Sequence, residues 1–292
     1  MTAPTGGPVI VGADSSAASA DALALGRWAA QTLDLPLIVA VVRPAPSAIG
    51  SGRVDAEWTA DRHRAAEAVL ATARDTLGDP PGVEYRVVAS TSAAHGLHDL
   101  AEHENAALLV VGSRSTGPAA RLFAGSTAER LLSGSVCPVA VAPAGLPQPP
   151  GALGRIGVAY VDTPDGRAAL TEAARLARRT GSPLLLVTVV ARGDAAVPFL
   201  LGDDAERAFL DTARETYEDA LRKAAESVPG VTVNWELRSG DVVETLADLA
   251  EVDVLFCGSR GYGPARRVLL GGVSARLLRR ACRPLVVVPR AP

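Results

Sequence analysis

The chain has 292 residues, of which 48% are hydrophobic and 21% charged, a balance that builds a packed core and excludes a disordered chain. Its formal net charge is −3 and the only lysine is Lys223, so there is no basic footprint for nucleic acid or an anionic membrane surface. At about 100–200 residues per domain, the length predicts two domains.

The opening residues, MTAPTGGPVIVGAD, hold neither a basic region nor an apolar core of signal length. No apolar run approaches the roughly 20 residues of a membrane span, so a cytoplasmic protein without a membrane partner is expected. Aliphatic runs at Val9–Gly12, Leu37–Val42, Val83–Ala89, Leu108–Val111 and Val139–Ala142 predict strands buried on both faces, with helical spacing between them. Pro143–Gly154, PAGLPQPPGALG, reads as a short semi-rigid linker. The pattern then restarts with strands expected at Ile156–Tyr160, Leu184–Val190, Val231–Leu237, Val254–Cys257 and Leu285–Val288. Phe209, Ala213, Tyr217, Leu221 and Ala224 fall on one stripe of a helix that Val228-Pro229-Gly230 stops.

The restart is a repeat. VIVGADSSAASADALALGRWAA from Val9 matches IGVAYVDTPDGRAALTEAARLA from Ile156, and CPVAVAP from Cys137 matches RPLVVVP from Arg283. The offset stays near 147 residues (Val9 to Ile156), so one unit is duplicated, over 1–145 and 152–292. Alternating strands and helices with buried strands predict an α/β fold: two doubly wound domains, each a parallel sheet flanked by helices. A fifth strand at a sheet edge would leave backbone groups unpaired. Pairing Val139–Ala142 with Leu285–Val288 would satisfy both, which predicts an internal pseudo-dimer of the two repeats; a homodimer of chains is left open. Cys137, Cys257 and Cys282 form no C-x-x-C pair and are expected as small buried hydrophobes. His63, His95, His98 and His103 all lie in the first repeat, so no histidine mechanism is duplicated, and solvated positions are expected for them.

In a doubly wound sheet, ligands bind outside the carboxyl ends of strands. Two stretches per repeat belong there. One begins the first β-α loop: Asp14-Ser15-Ser16, and Val161-Asp162-Thr163. The other is a glycine loop: GSRSTGPAARLFAGST from Gly112, and GSRGYGPARRVLLGGVS from Gly258. Glycines let backbone N–H groups approach phosphate oxygens, and a helix N-terminus opened by Ser126 or Thr127 attracts an anion. Gly112, Gly117 and Gly125 are the backbone candidates of the first repeat, with Arg114 and Ser115 beside them. Gly258, Gly261, Gly271, Gly272 and Ser274 are their counterparts, with Arg260 as a charged donor. The lysine of a phosphate-binding P-loop is missing, since Pro118 and Pro264 stand in its place, so binding is expected more readily than fast phosphoryl transfer.

Over nearly its whole length the chain resembles the universal stress protein family in its tandem form. That family's nucleotide motif is Gly-x-x-Gly, nine residues, then Gly-Ser/Thr, in a five-stranded α/β fold of strand order 3-2-1-4-5. The second repeat has Gly258-x-x-Gly261, nine residues and Gly271, followed by Gly272 where a hydroxyl is expected and Ser274 two places on. The first has Ser115 in place of the second glycine, then nine residues and Gly125-Ser126. The resemblance implies ATP, with or without Mg²⁺, its adenosine near an acid after the first strand and a valine ending the second. These are Asp14 and about Val41; in the second repeat the valine is about Val189, and Val161 fills the acid's position. The first repeat is therefore the expected nucleotide site. Three readings stay open: a nucleotide-binding stress or regulatory protein, a slow ATP hydrolase, and an interaction scaffold.

Overall fold

The computed structural model describes residues 6–45, 52–115, 122–123, 126–132, 134–146, 153–191, 203–259, 272–278, 280 and 282–289. Two units emerge, one of Met1–Pro149 together with Cys282–Pro289, the other of Pro150–Ala281 together with Arg290–Pro292.

The first unit runs β1 (Val9–Gly12), α1 (Ala18–Leu33), β2 (Leu37–Pro44), α2 (Gly52–Leu77), β3 (Val83–Ser90), α3 (Ala93–His103), β4 (Leu108–Gly112), β5 (Arg114–Ser115), β6 (Leu122–Phe123), α4 (Ser126–Leu132) and β7 (Val139–Ala142). Its parallel strands lie in the order β3-β2-β1-β4-β7, that is 3-2-1-4-5 by position in the repeat. β1 is central and sealed: Val9, Ile10 and Val11 are fully buried, as a strand covered on both faces demands. α1 turns Ala22, Leu23, Leu25, Gly26, Ala29 and Ala30 to the core and stops at Asp34, which adopts a left-handed conformation (φ 54°). Ser92 opens α3 by accepting a hydrogen bond from the His95 N–H.

The second unit runs β8 (Ile156–Ala159), α5 (Pro164–Thr180), β9 (Leu184–Ala191), α6 (Asp203–Glu226), β10 (Val233–Gly240), α7 (Val242–Ala247), β11 (Val254–Gly258) and α8 (Gly272–Leu277), with strand order β10-β9-β8-β11. Registers in the two units coincide. Val9 faces Leu37 and Leu108, and Ile156 faces Leu184 and Val254. Gly112 and Gly258 are therefore equivalent, as are Ser113 and Ser259. The same register pairs Val189 with Val42, one residue beyond Val41.

The remaining strand, β12 (Leu285–Val288), comes from the second repeat yet belongs to the first unit. It lies antiparallel on β7, with Leu285 opposite Val141, Val286 opposite Ala140 and Val287 opposite Val139. This is the edge pairing that the two aliphatic end strands predict, and all four β12 side chains are buried.

Several details depart from expectation. Cys282 is exposed, whereas Cys137 and Cys257 are buried. It precedes β12 and takes no part in its pairing. β10 begins at Val233, two residues later than expected, and the Thr232 carbonyl just before it accepts from the Leu184 N–H of β9. The glycine loop of the first unit contains a small antiparallel hairpin, with Arg114 opposite Phe123 and Ser115 opposite Leu122. On α6, Leu221 and Ala224 are buried as the stripe predicts; the side chains of Phe209 and Ala213 lie outside the described part.

Candidate functional site

At the carboxyl ends of β1, β2 and β4 in the first unit's sheet, beside α1, α3 and α4, lies a cavity of about 140 Å³. Its apolar floor is Gly12, Ala40, Val42, Val111 and Gly112, and its walls are Ala93 and Leu97 from α3 with Thr127 and Ala128 from α4. Asp14, Ser16 and Ser19 form a polar rim. Two glycines set this geometry. A Cβ on Gly112 would come within 2.1 Å of the Ala18 carbonyl oxygen, so only glycine lets the start of α1 approach the end of β4. A Cβ on Gly12 would meet Leu97 Cδ1 at 2.6 Å.

The Asp14 carboxylate accepts from the Ser16 N–H at 2.8 Å and from the Ser16 hydroxyl, while the Asp14 N–H donates to Ser19 Oγ at 3.1 Å. This Asx turn fixes the first β-α loop and presents the carboxylate at the rim. Asp14, Gly112 and Thr127, expected at a common crevice, line the same cavity. Val41 is buried in β2 and does not line it; its neighbours Ala40 and Val42 do. Arg114 and Ser115 enter the hairpin, and Ser126 and Thr127 form the first turn of α4 itself instead of preceding it. Gly117 and Gly125 lie outside the described residues.

The equivalent place in the second unit is nearly closed. Val161, Thr163 and Gly166 face Cys257, Gly258 and Ser274 across a space of only about 20 Å³, room for one water. Each hydroxyl is taken by the protein. Thr163 caps α5 by accepting from the Gly166 N–H at 3.1 Å, and its own N–H donates to the Val161 carbonyl at 2.7 Å. Ser274 Oγ donates to the Gly258 carbonyl at 3.1 Å and accepts from the Cys257 thiol at 3.9 Å. Ser259 Oγ donates to the buried Asp165 carboxylate at 3.1 Å. Burial pushes the Cys257 thiol up to about 12 and, with the Asp162 carboxylate close by, pushes the Tyr160 hydroxyl up to about 12 as well. Gly272 begins α8, and Val189 is buried in β9 away from the cavity. Arg260, Gly261 and Gly271 lie outside the described residues.

Sequence reasoning did not single out Ser19, Ala18, Val42 or Leu97 for the first crevice, nor Asp165 for the second. Ser19 carried a readable signal, since Asp14, Ser16 and Ser19 are spaced as loop and first-turn polar residues of one helix. The others are found only by packing. The histidines sit on helices, with His63 near Glu67 at 3.6 Å and His95 near Asp99 at 3.4 Å. Among the described residues no three His, Cys, Asp or Glu side chains gather as a metal site, and no helix is long and apolar enough to cross a membrane.

Fold and crevice together define a tandem, doubly wound α/β protein whose first repeat is open where such sheets receive ligands. The sequence model of the universal stress protein family matches residues 7–143 and again 153–289, and the chain belongs to that family. A universal stress protein of Mycobacterium tuberculosis (strain ATCC 25618 / H37Rv) is 31% identical over 279 residues, spanning 92% of this chain and 93% of its own. One from Mycolicibacterium smegmatis is 28% identical over 96% of both chains. Among solved structures, a universal stress protein from Archaeoglobus fulgidus shares the fold with a TM-score of 0.63 at 20% identity, covering 98% of this chain and 97% of that one.

Proposed function

We propose that this universal stress protein is a regulatory nucleotide-binding protein that retains an ATP-class nucleotide in the crevice of its first repeat. The observation that carries the reading is the convergence of Asp14, Gly112 and Thr127 on one cavity in the first unit, against a closed counterpart in the second. The cavity's 140 Å³ is below the roughly 300 Å³ of a complete small-molecule pocket, so it suits the nucleoside end of the ligand. Gly12, Ala40, Val42 and Leu97 offer apolar surface to a base, and Asp14 can accept from ribose hydroxyls. Gly112 and Thr127 mark where the phosphates would leave toward the glycine loop. Mg²⁺ would arrive on those phosphates with Asp14 as the nearest carboxylate of the described lining.

No lysine, arginine or histidine is among the described residues lining the cavity. Among the described lining residues, charge developing on a transferring phosphoryl group would meet backbone and hydroxyl donors, and with Pro118 in place of the P-loop lysine this supports retention or sensing over turnover. The nucleotide released from purified protein identifies the occupant, and titration of ATP into the parent and Asp14→Ala tests the site. Asp14→Ala should weaken binding by about 1–3 kcal/mol, the cost of a lost charged hydrogen bond. A parent protein without affinity at millimolar ATP would leave the interaction scaffold as the better reading.

A further inference from the structure

The two repeats differ at one buried hydroxyl. In the second unit Ser259 Oγ donates to Asp165 Oδ1 at 3.1 Å, and Asp165 is only 6% exposed. In the first unit the equivalent Ser113 is 1% exposed and its Oγ has no hydrogen-bond partner among the described residues. The register makes the reason plain: Asp165 corresponds to Ala18, which lies on the first crevice and whose methyl side chain offers no acceptor. The local backbone is otherwise alike. Gly112 packs against the Ala18 carbonyl, and Gly258 packs against Asp165, where an added Cβ would meet the Asp165 Cβ and carbonyl oxygen at 2.8 Å.

A buried hydroxyl without a partner is unfavourable and rare, so it asks for an acceptor. We infer that Ser113 and the start of α1 at Ala18 frame a seat for an anionic phosphate oxygen in the first repeat, and that Asp165 is a built-in occupant of the same seat in the second. The inference rests on the nucleotide reading of the first crevice and adds to it a residue and a charge rule. A carboxylate already seated beside Gly258 repels a phosphate, so the second repeat is excluded from anion binding by its own side chain as well as by its small cavity. The start of α5 holds this carboxylate as the start of α1 would hold the ligand's oxygen.

The test uses the full chain and three variants, Ala18→Asp, Ser113→Ala and Ser259→Ala, each followed by thermal unfolding without ligand and by calorimetric titration with ATP and with inorganic pyrophosphate. Ser113→Ala should unfold no earlier than the parent, because it deletes an unsatisfied group, yet bind ATP several-fold more weakly. Ser259→Ala should unfold earlier, because it strips Asp165 of its donor. Ala18→Asp should fold, since it gives Ser113 the partner that Ser259 has, and should lose at least tenfold in affinity for both ligands. Ser113→Ala unfolding as early as Ser259→Ala, or Ala18→Asp binding ATP as the parent does, would overturn the seat while leaving the nucleotide reading intact. A parent that binds pyrophosphate and not ATP, with binding lost in Ala18→Asp, keeps the seat and removes the nucleotide. A parent that binds neither overturns both.

Discussion

Replacing Gly112 by alanine adds a single methyl group at the tightest point of the first crevice. That Cβ would stand 2.1 Å from the Ala18 carbonyl oxygen, 2.7 Å from its carbon and 2.8 Å from its Cβ. Two of the three atoms are backbone at the start of a helix, so no rotamer change can relieve the clash. Either β4 or the α1 terminus must move. Overpacking of this kind costs about 1–3 kcal/mol. For a unit near 150 residues each kcal/mol lowers the melting temperature by roughly 2–4 °C, so Gly112→Ala should melt roughly 2–12 °C early. Gly272→Ala is the internal control. It lies in the first turn of α8 with nothing within 4 Å of its added Cβ, and should be neutral or stabilising by up to about 1 kcal/mol. Paired thermal scans by circular dichroism measure both. If Gly112→Ala melted within about 1 °C of the parent, the close approach of α1 to β4 would not constrain the residue at position 112.

Three further outcomes are expected. Leu285→Ala, in a strand that closes the first unit, should cost about 2–5 kcal/mol and speed hydrogen exchange at β7 amides; unchanged exchange there would contradict the β7–β12 pairing. Native thiol labelling should modify Cys282 quickly and Cys257 slowly, since burial pushes the Cys257 thiol up to about 12. That raised value means the thiol's contribution to stability is full below the unfolded pKa near 8.5 and is lost as pH rises toward the folded value, so Cys257→Ala should flatten the alkaline limb. On the acid side, the hydrogen bond from Arg86 holds Glu84 below the usual range; for Glu251 burial works the other way but its backbone hydrogen bond and Arg238 outweigh it. Both carboxylates therefore stabilise above about pH 4.3 and cease to do so as pH falls through their folded values. Glu84→Gln and Glu251→Gln should each shift acid unfolding to a smaller dependence on pH.

The parts of the fold readable from sequence are those that physics writes redundantly. β1, β7 and β12 have the predicted bounds because a strand buried on both faces must be continuously aliphatic. β10 is displaced from its predicted bounds because it is an outer strand with Trp235 still 38% exposed, so polar and apolar residues mix and its ends are blurred. Asp14, Gly112 and Thr127 could be found because loop position and residue type agree. Val42 could not be separated from Val41, since a strand turns alternate residues to opposite faces and the pattern VAVV suits either choice. Ser113 and Ser259 are indistinguishable in the shared Gly-Ser-Arg; only the residue facing each across the crevice, Ala18 or Asp165, sets them apart.

The placement of β12 has a consequence for how the chain is made. Between Val141 and its partner Leu285 lie 144 residue steps (285 − 141), and on its outer side β7 pairs with β12. At about 5–20 residues per second, a ribosome takes roughly 7–30 s to deliver the partner after β7 has emerged. Through that interval the nascent first unit displays the bare hydrogen-bonding edge of an aliphatic strand, the feature that invites pairing with a neighbouring polypeptide. On a polysome, where sibling chains emerge side by side, the β12 strand of one chain could close the sheet of another. Chaperone occupancy during synthesis should accordingly peak after β7 emerges and fall once β12 has followed.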